Sequence, residues 1–554
     1  MTVEQLIGTV ERPVASPGPI THASTSSTGD DRRRRVRLPR SLAGRAVIVG
    51  VVAAALGYIG AGIPSYWGDE AASVMSAQRS WSSLALELGK IDAVHGLYYA
   101  LLHGWIGVFG AGEWSTRAPS AIAVGLLAAG TVVLATRWFD ARVGLIAGIV
   151  VAVLPRTTSM ATEARSYALG AALAVWLTAA CTELIRRRVR SPWWWTAYGV
   201  GLALSATLFV YLLLLVPVHL AVLAVSRAPR GTWLRWTLGA AVAVVGSWPI
   251  LAAASAQRRQ LHFLAERGYA SVDGVVVRQW FESAPVAVVA WTFVVVGVVA
   301  AVAARLRGRR LPLGVVPSLA WIVVPTAALL LADAFVAPTY SPRYLSFAVP
   351  AVAMLIAVGV ASAITALERI VGRRDQRPAD PAGGSRGVGA AASARVLAGV
   401  VAGALALSVL APVYVRQRTE WAKDGGSDLR AVAEYVQQHA QPGDGIVFDR
   451  TTKPSRRPRL ALHLYPQAFA GLRDVALRTP YEQRSGIWDT TSPVAVVAPD
   501  LDEHTVWALE LPSGSPDAAN AAVPDDVQAL EASGYRVVDT HLIHRTVVYR
   551  LEKG

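Results

Sequence analysis

The sequence is short of charge, of cysteine and of lysine, and each shortage removes a class of protein. Charged residues make up 16% of its 554 positions, against the roughly 25% usual in soluble domains. A single cysteine, Cys181, leaves no intramolecular disulfide and no cysteine-based metal centre. Lying inside an apolar run, it reads as a small core residue. No Walker loop and no Rossmann glycine fingerprint falls between a strand and a helix, so use of a cytosolic nucleotide is not expected. Most apolar runs have no strongly charged residue at their centre, which argues against an ion-coupled pump.

What the chain has in abundance is apolar residues, 53% of the total, gathered into long runs. Runs of about 18 or more read as membrane helices. Spans are predicted near 45–63, 118–136, 142–155, 167–185, 194–209, 211–226, 236–254, 285–304, 313–335, 344–366 and 396–414. The formal charge of +15 could suggest nucleic acid, but the basic residues sit in short clusters between apolar runs, as the positive-inside rule produces. Only Lys90, Lys423, Lys453 and Lys553 are lysines; the remaining cations are arginines.

Charge tests the span count. With about eleven transmembrane helices, the Arg-rich segments 32–45, Arg137/Arg142, 186–190, 227–235, 305–310 and 369–395 all fall on one face. The rule assigns that face to the cytoplasm. Segments 64–117, 156–166, 255–284 and 336–343, and everything after 415, then lie outside. The expected organisation is a disordered basic cytoplasmic tail over 1–44, a membrane domain over 45–415 and an extracytoplasmic α/β domain over 416–554. A flexible Pro/Gly/Ala/Arg cytoplasmic linker at 372–395 interrupts the membrane domain. Residues 45–63 read as a retained span of a plasma-membrane protein, not a cleaved signal. In the C-terminal domain helices are expected at Asp428–His439 and Pro524–Ser533, and strands at Gly445–Asp449, Val494–Ala498 and Thr546–Leu551. In the first outer loop, Ser80–Lys90 and Leu97–Phe109 have helical apolar spacing. They read either as helices in the membrane interface or as helices packed on the bundle.

The outer segments hold a small set of polar residues against the membrane, where ionisable groups are costly and mark function by default. Asp69 and Glu70 follow Ser65-Tyr66-Trp67-Gly68 at the end of the first span. Neighbouring side chains diverge on a helix or a strand, so only one of the two is expected to act as a base. Asp92-Ala-Val-His95-Gly-Leu-Tyr98-Tyr99 follows in the same loop, with His95 able to orient an acceptor or move a proton. Glu163-Ala-Arg165-Ser-Tyr167 and Arg343-Tyr344 place two arginines beside tyrosines on the same face. Arginine keeps its charge and holds phosphate bidentately, so these pairs suggest an anion site. Arg258, Arg259, His262, Glu266 and Arg267 crowd the third outer loop, where a solvated face is as good a reading as a substrate contact.

Taken in order, Gly68-Asp69-Glu70, His95-Gly-Leu-Tyr98-Tyr99, Glu163-Ala-Arg165-Ser-Tyr167-Ala-Leu and Arg343-Tyr344-Leu resemble the GT-C glycosyltransferases. The likeness is to the branch with protein O-mannosyltransferases and the lipid A aminoarabinose transferase, and most to its actinobacterial family-39-like mannosyltransferases. It covers about 60–415 and departs in one place. The family's His-Pro-Pro-Leu-Tyr-Tyr stands here as His95-Gly96-Leu97-Tyr98-Tyr99, one residue shorter and without the prolines.

The resemblance implies an α-helical polytopic GT-C membrane enzyme that takes a sugar from a polyprenyl-phosphate donor. A glycan, a glycolipid or a protein would accept it on the outer face, with inversion. Mannose is the sugar the resemblance favours, for cell-envelope synthesis. Asp69 would be the base, with Glu70 supporting it or holding acceptor. Arg165 and Arg343 would hold the donor phosphate with Tyr167 and Tyr344, and His95, Tyr98, Tyr99 and Glu163 would contact acceptor or substrate. No cofactor is required if arginine neutralises the phosphate, although a divalent metal on Asp69 or Glu70 stays open. Arabinofuranosyl transfer from decaprenyl-phosphate-arabinose, and transport of a lipid-linked sugar, are the alternatives.

Overall fold

The long apolar runs become helices. A computed structural model of the chain describes residues 41–375, 403–404, 406–511 and 523–554. The expected tail up to residue 40, most of the linker and the start of the last span lie outside the described residues.

Every predicted span coincides with a helix. They are α1 (Leu42–Tyr58), α5 (Glu113–Trp138), α6 (Ala141–Val153), α8 (Tyr167–Arg186), α9 (Pro192–Leu208), α10 (Leu215–Val225), α13 (Ala284–Leu306), α14 (Val315–Phe335) and α15 (Val349–Asp375). The seventh span is a bent pair, α11 (Arg230–Gly246) and α12 (Trp248–Ala256), at 40°. The last is the described part of α16, Ala406–Arg416. Five of these helices are long and apolar enough to cross a membrane, or six if the bent pair counts as one. The chain is a multi-pass membrane protein. Close backbone approach replaces large side chains at some crossings. At Gly359 a Cβ would lie 1.9 Å from the carbonyl oxygen of Phe293, so α13 and α15 meet there only because the residue is glycine.

Between α1 and α5 the first loop folds into α2 (Gly68–Gln78), α3 (Trp81–Leu88) and α4 (Gly96–Phe109). The helices expected at Ser80–Lys90 and Leu97–Phe109 are therefore present. α4 packs against the bundle: Tyr98, Tyr99 and Leu102 share a core with Ala77, Leu84 and Leu208. The short α7 (Pro155–Met160) bridges α6 and the turn into α8.

The C-terminal residues form a mixed sheet ordered β2-β1-β5-β7-β6. β1 (Gly445–Phe448) runs parallel to β2 (Arg473–Asp474) and to β5 (Thr505–Glu510). β7 (Val547–Lys553) is antiparallel to β5 and to β6 (Tyr535–Leu542). A separate two-stranded ribbon pairs β3 (Leu477–Thr479) with β4 (Thr490–Thr491). The expected helices appear as α17 (Leu429–His439) and α20 (Asp525–Ala532), with the short α18 (Leu460–Leu464) between them. Val494–Ala498 is not the expected strand. It opens on the short helix α19 (Val494–Val497), entered from Pro493. An apolar run of that length is read equally well as strand or buried helix, and proline at the entry favours the helix.

This domain and the first loop share one core. Tyr66, Ala71, Val74 and Met75 are buried with Leu429, Val432, Phe448, Leu460 and Trp507. Helix α2 is thus held between the membrane bundle and the sheet domain.

Candidate active site

Trp67 is the N-cap of α2, and Asp69 and Glu70 fall in its first turn. Acidic groups are favoured there by the helix dipole. Gly68 is required by packing. A Cβ on it would meet the carbonyl oxygen of Ser455 at 2.0 Å, so the C-terminal segment lies directly on the start of α2.

The two carboxylates diverge, as adjacency requires. Glu70 is fully buried and takes a bidentate ion pair from Arg117, Nε to Oε1 at 2.8 Å and Nη2 to Oε2 at 2.6 Å. The backbone N–H of Ala164 also donates to Oε1, at 2.8 Å. Arg117 in turn caps the carbonyls of Ala61 and Pro64, each at 2.7 Å. Glu70 is committed to joining α2, α5 and the turn before α8, which its sequence position did not announce.

Asp69 remains one-third exposed, and its Oδ2 accepts from Arg343 Nη1 at 3.0 Å. Arg165 Nη1 donates to the Asp69 carbonyl and to Ser73 Oγ, both at 3.1 Å. Burial pushes the Asp69 carboxyl up, but the guanidinium groups of Arg343 and Arg165 outweigh it and hold the carboxyl below its ordinary value. Two arginines from distant loops therefore converge on one aspartate. Tyr167 sits under both, its ring centre 6.0 Å from the Arg165 guanidinium carbon and 5.9 Å from that of Arg343. Tyr344 is turned onto Tyr211, stacked at 4.9 Å.

His95 Nε2 lies 3.3 Å from Arg165 Nη2. Burial, reinforced by the Arg165 charge, lowers its pKa to about 3. The imidazole is neutral and accepts from arginine through Nε2, which leaves the proton on Nδ1. Asp92 is held in the left-handed region at φ 57°. Its Oδ2 accepts from the Tyr99 hydroxyl at 2.8 Å, and burial raises its pKa. Gln260 and Gln257 accept from the backbone N–H groups of Asp92 and Ala93, at 3.2 and 2.9 Å. So glutamines of the third loop, not its arginines, reach this turn. Tyr98 is 2% exposed within the α2–α4 core.

Glu163 pairs with Lys423 at 3.4 Å, and Lys423 Nζ also donates to Thr162 Oγ1 at 3.1 Å. Lys423 was not among the sequence candidates, although it is one of four lysines and lies shortly beyond the last span. Glu282 and Gln417 join it around a small cavity beside Arg343 and Trp67. Among the described residues no group of three His, Cys, Asp or Glu side chains could hold an ion. The Asp69 carboxylate faces Arg343 and that of Glu70 faces Arg117. This donor set does not fit a metal.

At the sequence level no family model and no curated protein matches the chain. Solved structures do match it. ArnT from Cupriavidus metallidurans in the apo state aligns over 92% of this chain and 98% of its own, with a TM-score of 0.50 and 15% identity. The same protein bound to undecaprenyl phosphate aligns over the same shares at 0.51 and 16%. The archaeal oligosaccharyltransferase AglB from Archaeoglobus fulgidus, in complex with an inhibitory peptide and a dolichol-phosphate, is more distant. It covers 91% of this chain and 74% of its own at a TM-score of 0.44 and 12% identity. The fold is that of the GT-C class: a helical membrane bundle with a small C-terminal sheet domain.

Proposed function

We propose that the chain is a membrane glycosyltransferase that moves a sugar, mannose in the first instance, from a polyprenyl-phosphate donor to an acceptor hydroxyl. The site would open on the outer face of the plasma membrane, where a lipid-linked donor presents its phosphate at the interface and no nucleotide is needed. One observation carries the proposal. Arg165 and Arg343, 178 residues apart in sequence (343 − 165 = 178), close on the same aspartate at the start of α2. That ArnT has been solved with undecaprenyl phosphate on the same fold supports the choice of donor.

The roles follow from charge. As the bond between sugar and phosphate oxygen breaks, negative charge grows on the departing lipid phosphate, and two fixed guanidinium groups stabilise it. The acceptor hydroxyl is a poor nucleophile and needs a base, which Asp69 supplies. While Arg343 donates to Asp69, that base is weakened. An arriving phosphate competes for Arg343 and Arg165, and each hydrogen bond it takes raises the basicity of the carboxylate. Donor binding thus arms the base. The acceptor oxygen attacks the anomeric carbon, its proton passes to Asp69, and the lipid phosphate leaves, inverting the centre. His95, neutral, orients Arg165. Glu70 is a positioning residue that fixes α2 through Arg117.

The test is transfer of labelled mannose from decaprenyl-phosphate-mannose into membrane glycan by the purified protein. Transfer by the wild type and none by Asp69→Ala, with unchanged thermal unfolding, is the expected result. Undiminished transfer by Asp69→Ala removes the base assignment.

A further inference from the structure

Where the C-terminal domain meets the end of the first loop lies a larger cavity, of about 430 Å³. Sites for whole small molecules run from about 300 to 1,000 Å³, so there is room for one or two sugar rings. One wall is a single face of α17. Arg430, Ala433, Glu434 and Gln437 recur there at i, i+3, i+4 and i+7, the spacing of a helix stripe. The stretch 464–468 forms another wall, and Glu113, which opens α5, completes the lining.

This is not the place of the reacting groups. Ala433 and Leu464 are buried in one core with Ala71, Val74 and Met75 of α2. At about 100° per residue, those three lie on the face of α2 opposite Asp69. The cavity is thus behind α2 as seen from Asp69, and it shares no lining residue with the small cavity beside Arg343.

Its one arginine is already spent. Arg430 donates twice to Glu113 Oε1, from Nη2 at 2.7 Å and from Nε at 3.0 Å. Its other bonds go to the carbonyls of Gly62, Ile63 and Pro64, at 2.8, 3.0 and 3.1 Å. The Tyr465 hydroxyl donates to the same Oε1 at 2.5 Å. All three donors land on one oxygen, so Oε2 of Glu113, a side chain 12% exposed, has no partner among the described residues. Glu434, Gln437 and Gln467 are exposed, and their side chains take no hydrogen bond or ion pair among the described residues. Two carboxylates are left to accept and two amides to donate and accept, while no lining cation is free. An anion would meet the uncompensated Glu434 with nothing to receive it. Hydroxyls, which both donate and accept, match this set. Ala433, Leu464 and Ala468 add apolar surface for the C–H face of a ring.

We propose that this cavity binds a glycan segment of one or two rings, neutral or amine-bearing but not acidic, at a place separate from the transfer site. It rests on the glycosyltransferase reading, which supplies the sugar class of ligand. A glycan held there is anchored away from its reacting end. Because Glu113 opens a spanning helix, a glycolipid head group and a soluble glycan can both reach it.

The test measures equilibrium binding to the full-length protein in nanodiscs. The probes are mannobiose, diglucosamine, digalacturonate, octyl mannobioside, tetralysine and decaprenyl phosphate. The wild type should bind mannobiose and diglucosamine and reject digalacturonate. The Gln437→Ala/Gln467→Ala double variant should lose about tenfold or more on mannobiose, the size of one or two hydrogen bonds, but nothing on decaprenyl phosphate. Thermal unfolding is the folding control. Glu434→Gln removes the free charge and should admit digalacturonate. Asp69→Ala should hold mannobiose as the wild type does. Tighter binding of octyl mannobioside than of mannobiose assigns the glycolipid source, and equal binding the soluble one. Mannobiose lost from Asp69→Ala but kept by the double variant places the sugar at the transfer site and overturns the proposal. So does a wild type that takes digalacturonate as readily as mannobiose, or tetralysine in place of any saccharide. A wild type that holds decaprenyl phosphate and no saccharide strikes the cavity alone, whereas one that does not hold decaprenyl phosphate strikes the parent reading.

Discussion

Glu70 and Arg117 form a bidentate ion pair with both side chains at zero exposure. It sits one residue from Asp69, which faces Arg343 with a third of its side chain open. Two adjacent carboxylates thus have opposite fates, one fixing the frame and one facing the site.

Breaking the Glu70–Arg117 pair should be felt as stability. Removing one partner of a buried pair leaves the other uncompensated, at a cost of about 3–5 kcal/mol. Arg117→Ala and Glu70→Ala should each lower the thermal unfolding midpoint strongly in detergent. The double variant with methionine at both positions should recover part of the loss. If Glu70→Ala instead unfolds like the wild type and only transfer fails, Glu70 is chemical and not positional.

The Asp69 carboxyl lies below its ordinary value because Arg343 and Arg165 outweigh its burial. The ionised base therefore persists into acid, and the acid limb of kcat/KM should fall below the usual aspartate value of about 3.9. Replacing Arg343 with glutamine removes the guanidinium that lowers the carboxyl most and should move that limb upward. The limb of kcat, measured with donor phosphate bound, should lie above that of kcat/KM. Coincident limbs would argue against phosphate drawing the arginines away from Asp69.

Arg165→Gln should weaken binding of decaprenyl phosphate roughly tenfold or more, since hydrogen bonds to charged groups contribute about 1.5–3 kcal/mol. Equilibrium binding in nanodiscs reads this directly. Unchanged affinity in Arg165→Gln and in Arg343→Gln would remove the phosphate site.

Gly68→Ala should separate α2 from the C-terminal segment, because the added methyl meets the Ser455 carbonyl at 2.0 Å. Protease should then cut the C-terminal domain faster while the membrane bundle stays intact, and transfer should drop with it. A protected domain in that variant would show that α2 can shift to make room.

Much of the fold was legible because lipid imposes one strong rule: a spanning segment must be apolar and helical. Even the bent seventh span, α11 and α12, was visible as a single apolar run. Within the C-terminal domain the pattern was weaker. β5 (Thr505–Glu510) and β6 (Tyr535–Leu542) were missed, the first because it is buried nearly throughout and shows no alternation. At the site, Asp69, Arg165 and Arg343 could be picked out because charge at the membrane edge is conspicuous. Only the family resemblance told Asp69 from Glu70; the residues alone did not, since the partner of Glu70, Arg117, lies 47 residues on, at the far end of the same outer segment. Trp67 and Lys423 were passed over for a related reason. An interfacial tryptophan and a lysine after a final span are ordinary anchors, and only their meeting around one cavity beside Arg343 sets them apart.

The most direct test is to identify the lipid that leaves with the protein. Native mass spectrometry of the wild type, purified from its own membranes in mild detergent, should release a polyprenyl phosphate or its glycosylated form. That lipid should be lost from the Arg165→Gln/Arg343→Gln double variant. Only bulk phospholipid in the wild type, or equal retention of the polyprenyl phosphate by the double variant, would contradict the account.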